Sequence, residues 1–203
     1  LAYRRKSIIG GFLLKNLADY VMIVDHVLTE DFCNSLIERF EKQEQKLTNN
    51  TWGNHMMNFH ELNITKHEDF VEESKLFYDL TQDLFKFYID KNNVEFMPSK
   101  IGYEDARMKR YDPNGIDQFG WHTDVGDYAS AKRFLVMFYY LNDVEEGGQT
   151  VFNDVTYDDK TNLTINARRG RIVIFPPMWM YPHKGMPPIS NSKYIISTYC
   201  HYL

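Results

Sequence analysis

The 203-residue sequence predicts an α+β fold in which helices gather in the first half and an antiparallel sandwich or barrel fills the second. Three observations carry this expectation. Apolar residues recur at helical spacing in two stretches, Phe32, Leu36, Ile37 and Phe40 in one and Phe77, Leu80, Leu84, Phe87 and Tyr88 in the other. After Pro98 the chain becomes a series of short runs rich in Tyr, Val, Ile and Phe, divided by turn signals such as Asp112-Pro113-Asn114-Gly115, Glu146-Gly147-Gly148 and Arg168-Arg169-Gly170. No internal repeat or low-complexity linker interrupts the chain, so residues 1–203 are expected to form a single domain, with 1–98 as helical support and 99–203 as the core carrying the site.

Tyr20 to His26 alternates loosely and is rich in Val and Ile, predicting a strand that leads into Thr29 as a helix N-cap. The first amphipathic helix follows, with Glu38, Arg39 and Glu41 opposite its apolar stripe. From about Thr48 to Asn63 aromatic and polar residues show no period, and a loop or an irregular strand is expected. The second helix covers about Asp69 to Lys91 and stops at Asn92-Asn93. Strands are predicted at Ala106 to Tyr111, Phe119 to His122, Arg133 to Leu141, Gln149 to Phe152, Leu163 to Asn166, Arg171 to Phe175 and Tyr194 to Tyr202.

Hydrophobic residues make up 43% of the chain and aromatic residues 15%, which argues against disorder. The net charge of −5 and pI near 5.8 argue against the basic footprint that a nucleic-acid partner requires. Arg4-Arg5-Lys6 precedes a short apolar run from Ile8 to Leu14, but no small-residue cleavage site follows, so a buried N-terminal segment is expected over a signal peptide. No window reaches the roughly eighteen apolar residues of a membrane span, and the protein reads as soluble, cytoplasmic and without a membrane partner. Cys33 and Cys200 cannot build a disulfide framework and are expected to be small buried hydrophobes. Asn49, Asn63 and Asn162 each open an Asn-x-Ser/Thr triplet, which matters only in a secreted chain, and Leu at position 1 fits a processed end.

His122, Asp124 and His183 are the candidate metal ligands. A His-x-Asp triplet is weak by itself, since this composition supplies about half an occurrence by chance. His67-Glu68-Asp69 has the same spacing but opens a helical segment, where residues two apart diverge. Around His122 the pattern is strand-like, so positions i and i+2 share a face. Two imidazoles and one carboxylate on one side of an octahedral ion leave three adjacent positions open, the arrangement of non-haem Fe(II) oxygenases. Lys193 sharpens the reading, because an ammonium inside an apolar barrel is costly unless an anion pairs with it. Lys193, Ile195, Ser197 and Tyr199 share a face in period-2 alternation, which puts Ser197 beside the same anion. His26, His55, His60, His67 and His201 have no partners at ligand spacing and are expected to be structural or solvated, and Trp121 is expected to pack against the barrel.

His122-Thr123-Asp124, His183 and a lysine ten positions later resemble the signature of the prolyl 4-hydroxylase-like branch of the 2-oxoglutarate and Fe(II)-dependent dioxygenases. The stretch from Phe138 to Phe152 is similar to the family's strand, glycine turn and strand, and Tyr20 to Phe40 to the strand and helix that precede its core. The resemblance implies a double-stranded β-helix, or jelly roll, with the N-terminal helices packed on one sheet. It implies Fe(II), 2-oxoglutarate and O2 as cofactor and co-substrates, with ascorbate as a candidate reductant. Tyr111, Tyr140 and Thr150 then join Lys193 as contacts to 2-oxoglutarate, and Arg133 faces the substrate. The implied reaction decarboxylates 2-oxoglutarate to succinate and carbon dioxide while hydroxylating a C–H bond, most plausibly of a prolyl residue in a protein or peptide. A carboxylate at Asp124 favours hydroxylation over halogenation. A free amino acid or other small molecule is the alternative substrate, base repair on nucleic acid fits poorly, and a jelly-roll module holding Zn(II) or Mn(II) without turnover is the alternative outside enzymes; Lys193 argues against the last.

Overall fold

The computed structural model describes residues 8–9, 12–13, 16–43, 48–52, 57–156 and 162–203. The first half contains β1 (Ile8–Ile9), β2 (Phe12–Leu13), β3 (Met22–Val24), α1 (Glu30–Glu41), β4 (Thr48–Trp52), β5 (Met57–Asn63) and α2 (Val71–Asn92). The second contains β6 (Ile101–Tyr103), β7 (Arg107–Tyr111), β8 (Gln118–His122), β9 (Arg133–Tyr140), β10 (Thr150–Phe152), β11 (Thr164–Ile165), β12 (Ile172–Phe175), β13 (His183–Gly185) and β14 (Lys193–Tyr202). Thr29 caps α1 as the sequence implies, and α2 stops at Asn92-Asn93 as expected but begins at Val71, two residues after Asp69. Thr29 Oγ1 accepts from the Phe32 amide at 3.4 Å, with Glu30 and Asp31 in the first turn against the positive end of the dipole. Asn93 ends α2 in the left-handed region, at φ 51°.

One curled antiparallel sheet runs in the order β11-β10-β13-β8-β5-β7-β14-β9-β12-β3. Its fold is made by β5, which pairs Met57 and Asn58 with β8 but His60 to Asn63 with β7. That strand joins a short wall (β11, β10, β13, β8) to a long one (β7, β14, β9, β12, β3), the two sheets of a double-stranded β-helix. Alternation along β9 divides the core. Leu135, Met137 and Tyr139 face α1 and α2, while Val136, Phe138 and Tyr140 face the barrel interior. On the helix side Phe77 meets the Tyr139 ring edge-on at 5.1 Å, and the Tyr139 and Thr81 hydroxyls share a buried hydrogen bond of 2.9 Å. Burying one such ring contributes about 2–3 kcal/mol, so the helices stiffen the long wall from behind.

Several expectations need correction. Between Thr48 and Asn63 the described residues form two regular antiparallel strands, β4 and β5, rather than a loop or one irregular strand, with Thr48 opposite Glu61 and Trp52 opposite Met57. Phe87 stands 48% exposed, outside the buried stripe of Phe77, Thr81, Leu84 and Tyr88. Trp121 does not pack inward: it is 42% exposed, with Lys184 Nζ 4.8 Å from its ring. β6 and β13 lie between the predicted runs. In the N-terminal run β1 pairs with β2, whereas Arg4-Arg5-Lys6, His55 and the burial of residues 8–14 lie outside the described residues. Cys33 and Cys200 are buried free thiols, as expected. Among the described residues no helix is long and apolar enough to cross a membrane.

Candidate active site

The end of β8 and the start of β13 are neighbours, so that His122 and His183 are cross-strand partners. Asp124 lies in the bend just past β8 and turns its carboxylate between the two rings. His122 Nε2 is 3.6 Å from Asp124 Oδ1, and His183 Nε2 is 3.6 Å from Asp124 Oδ2. One ligand atom from each residue falls within 4.8 Å of the others. The second ring nitrogens fix the tautomers: His122 Nδ1 lies 2.8 Å from the Gly120 carbonyl and His183 Nδ1 3.0 Å from that of Tyr181. A carbonyl only accepts, so Nδ1 carries the proton in both rings and Nε2 presents a lone pair to the cluster. Phe119 stacks flat on His122 at 3.6 Å, while Phe138, Phe152 and Phe175 surround His183.

His122 Nε2, Asp124 Oδ2 and His183 Nε2 are all buried without a hydrogen-bond partner. Native proteins rarely leave such groups unsatisfied, and three aimed at one point fit a divalent cation. Protonation states agree. Burial raises the Asp124 carboxyl, but the imidazoles of His183 and His122 and the Tyr199 hydroxyl outweigh it and hold it at about 2. Burial lowers His183 to about 4, so that at neutral pH both residues are in the ligating form.

Asp124 is itself held from two sides. Its Oδ1 accepts from Tyr199 Oη at 2.9 Å, and its backbone carbonyl accepts from Arg133 Nη1 at 3.0 Å. The remaining guanidinium nitrogens of Arg133 fork onto Glu104 at 2.7 and 2.8 Å, and the group lies 3.9 Å from the centre of the Tyr199 ring. Arg133, expected at the substrate, thus has its donors engaged inside the protein. Tyr199 was not among the predicted site residues, although its alternation with Lys193 on β14 placed it on the correct face. Tyr199→Phe is expected to weaken divalent-metal affinity about tenfold, the usual cost of losing a group that orients a ligand. Metal titration of the purified variant checks this, and wild-type affinity would remove Tyr199 from the site.

In the same cavity Lys193, 2% exposed, opens β14 opposite Tyr111. Its Nζ donates to the Gly148 carbonyl at 3.0 Å and lies 4.9 Å from the Tyr111 ring centre. Gly148 has φ 70°, a conformation that lets its peptide turn toward the lysine and that a side chain would strain. Burial lowers Lys193 to about 8. Tyr111, Thr150 and Lys193 line one cavity with His122, Asp124 and His183. Tyr140 reaches the cavity through Thr150, their hydroxyl oxygens 2.6 Å apart, and Ser197 Oγ is buried without a hydrogen-bond partner. Sequence reasoning also missed Lys109, a buried cation in the same lining, and Phe119.

A second group, His60, Asp112 and Asp117, has comparable spacing. Its carboxylates are already occupied: Asp117 accepts from Asn58, Asn114 and the Asp112 amide, and Asp112 accepts from Ser192 and lies 3.2 Å from Arg110 Nε. His67 caps a short turn by accepting from the Asp69 amide, so the decoy triplet is structural.

A jelly roll whose cavity is lined by a buried donor cluster and a buried ammonium is suited to enzymes that chelate an oxo acid on a single metal ion. Residues 106–201, which carry the three candidate ligands and Lys193, match the family model described as the 2OG-Fe(II) oxygenase superfamily, and this part of the chain is that of a 2-oxoglutarate and Fe(II)-dependent oxygenase. Among solved structures, a prolyl hydroxylase from Trichoplax adhaerens in complex with a hypoxia inducible factor peptide fragment superposes with TM-score 0.72 at 17% identity, covering 90% of this chain and 84% of that one. The viral collagen prolyl hydroxylase of Paramecium Bursaria Chlorella virus-1, as its 2-oxoglutarate complex, gives 0.63 at 21% identity, covering 91% and 97%. A Pseudomonas putida prolyl-4-hydroxylase gives 0.64 at 14% identity, covering 92% and 97%. At these identities the likeness is one of fold. A comparison with curated protein sequences finds no match.

Proposed function

We propose that this oxygenase hydroxylates a prolyl residue in a protein or peptide, with His122, Asp124 and His183 as the iron ligands. The whole chain is read as one catalytic domain, residues 1–98 bracing the jelly-roll core. The observation that carries the site assignment is the convergence of three buried, unpartnered donor atoms within 4.8 Å. Peptidyl proline is favoured because the structural neighbours are prolyl hydroxylases, one of them in complex with a peptide fragment.

Bound Fe(II), with 2-oxoglutarate and dioxygen, supplies the oxidising power that inserts one oxygen atom into a C–H bond as the oxo acid is decarboxylated to succinate. The protein's part is binding and placement. Lys193 pairs with the far carboxylate of the diacid, and Tyr111 and Thr150 offer hydroxyls around it, Thr150 braced by Tyr140; Ser197 does not line the cavity and has no part in this contact. This anchoring gives the oxo acid one orientation toward the triad. Tyr199 and Arg133 hold Asp124 so that Oδ2 faces the ion. The aromatic walls around His183 keep water from the reacting atoms.

The test is an array of proline-containing peptides incubated with the protein, Fe(II), 2-oxoglutarate and ascorbate, read by tandem mass spectrometry. Gain of one oxygen atom on a prolyl residue, dependent on 2-oxoglutarate, is the expected result. Hydroxylation confined to free amino acids or other small molecules would replace the peptide reading with the alternative substrate class.

A further inference from the structure

Arg107, Lys109 and Tyr111 alternate along one face of β7, and Lys109 stands between Glu61 of β5 and Ile195 of β14. It is only 8% exposed and lines the cavity that holds His122, Asp124, Tyr199 and Lys193. A buried ammonium needs an anion and hydrogen-bond acceptors to offset its lost hydration. Among the described residues its ion-pair partner is Glu61, whose Oε2 lies at 3.8 Å, too far for a hydrogen bond. The same carboxylate is hydrogen-bonded by Arg107 Nη1 at 2.8 Å through Oε1. One acid therefore serves two cations, and its tight bond goes to the arginine. The Lys109 ammonium also lies 5.1 Å from the centre of the Phe59 ring, and the Asp124 carboxylate acts on it electrostatically within the cavity.

Charge in the cavity leads to the same place. Fe(II) held by the triad would be balanced by Asp124 and one carboxylate of the oxo acid, and Lys193 by the other carboxylate. Glu61 is shared by Arg107 and Lys109, and of the two cations Arg107 is the one open to solvent, its side chain 44% exposed, whereas Lys109 is enclosed beside the reacting centre with no hydrogen bond to that acid.

We propose that Lys109 is a specificity residue that receives a carboxylate carried by the primary substrate close to the carbon that is hydroxylated. The inference rests on the reading of this cavity as the active site and adds the substrate's charge to it. Two sources present that chemistry: the terminal carboxylate of a prolyl compound, or an acidic side chain next to a prolyl residue inside a peptide.

The experiment is equilibrium binding by calorimetry, with dioxygen excluded, to protein loaded with Mn(II) and 2-oxoglutarate. N-acetyl-proline is compared with its neutral amide, and the amide of N-acetyl-prolyl-aspartate with that of N-acetyl-prolyl-asparagine. A hydrogen-bonded charge pair predicts that an acid binds about tenfold or more tightly than its neutral twin. The first pair responds if the terminal carboxylate is the ligand, and the second if it is the acidic neighbour. In Lys109→Met, and in Lys109→Gln should the first variant fail to fold, the preference disappears while 2-oxoglutarate affinity stays within about twofold of wild type. Equal binding of acid and neutral twin, no binding of either acid, or a preference that survives both variants overturns the proposal. A large loss of 2-oxoglutarate affinity in the variants also overturns it, by assigning Lys109 to the co-substrate. Wild-type protein that takes up neither Mn(II) nor 2-oxoglutarate would instead refute the site assignment.

Discussion

His183→Ala is expected to abolish Fe(II) binding while leaving the chain folded. The ring is 2% exposed, its Nδ1 is tied to the Tyr181 carbonyl and its Nε2 is one of three donor atoms without a partner. Removing it leaves a two-donor site, and the loss should exceed the roughly 10–100-fold that attends loss of a supporting hydrogen bond. The apoprotein should suffer less than a core truncation normally inflicts, because the substitution also removes a buried, unsatisfied nitrogen. Anaerobic metal titration, with thermal unfolding as the check on folding, measures both. Metal affinity near that of wild type would exclude His183 as a ligand.

Lys193→Met should separate co-substrate binding from metal binding. The ammonium is bonded to the Gly148 carbonyl and is not one of the donor atoms of the triad, so Fe(II) affinity should hold, while the affinity for 2-oxoglutarate falls about 100-fold through loss of a buried charge-assisted hydrogen bond. The substitution should also stabilise the apoprotein. Burial lowers the ammonium from 10.5 to about 8, so the unfolded chain binds that proton more tightly than the folded one. Stability from this group therefore rises with pH between about 8 and 10.5, and below that window its burial costs on the order of 3 kcal/mol. Binding of 2-oxoglutarate has the opposite sign. It requires the protonated lysine, so its affinity should fall as pH rises above about 8, by up to tenfold per unit. Calorimetric titrations at several pH values on wild type and Lys193→Met test this. A pH-independent affinity, or one unchanged in the variant, would remove Lys193 from the co-substrate site.

The chemistry was more legible than the walls that frame it. His122 and Asp124 could be read as ligands, and Lys193 as an anion partner, because they sit at or beside strand ends with strong β-character, where spacing translates into facing, whereas His183 lies on β13, which no predicted run covers. Tyr199 could be read only as a member of an alternating face, since nothing local says that its hydroxyl meets a ligand carboxylate. The β4–β5 pair was hidden for a physical reason: Met57, Phe59 and Glu61 alternate on one face, and the third of these is an acid where the pattern demands an apolar residue. Glu61 faces Lys109, another inward polar residue, and the acid breaks the hydrophobic period of β5, while β7 keeps enough apolar residues to be read as a strand. Trp121 was readable and misread. If His122 points inward, its neighbour on the same strand points outward, which is where the exposed indole lies.

The central claim is that one ferrous ion is gripped by two imidazoles and a carboxylate at the junction of β8 and β13. A crystal grown anaerobically with Fe(II) and 2-oxoglutarate, with anomalous differences recorded at the iron edge, tests it most directly. One peak within coordination distance of His122 Nε2, Asp124 Oδ2 and His183 Nε2, with the far carboxylate of the diacid on Lys193, is the predicted result. A peak among His60, Asp112 and Asp117, or none between the two histidines, would contradict it.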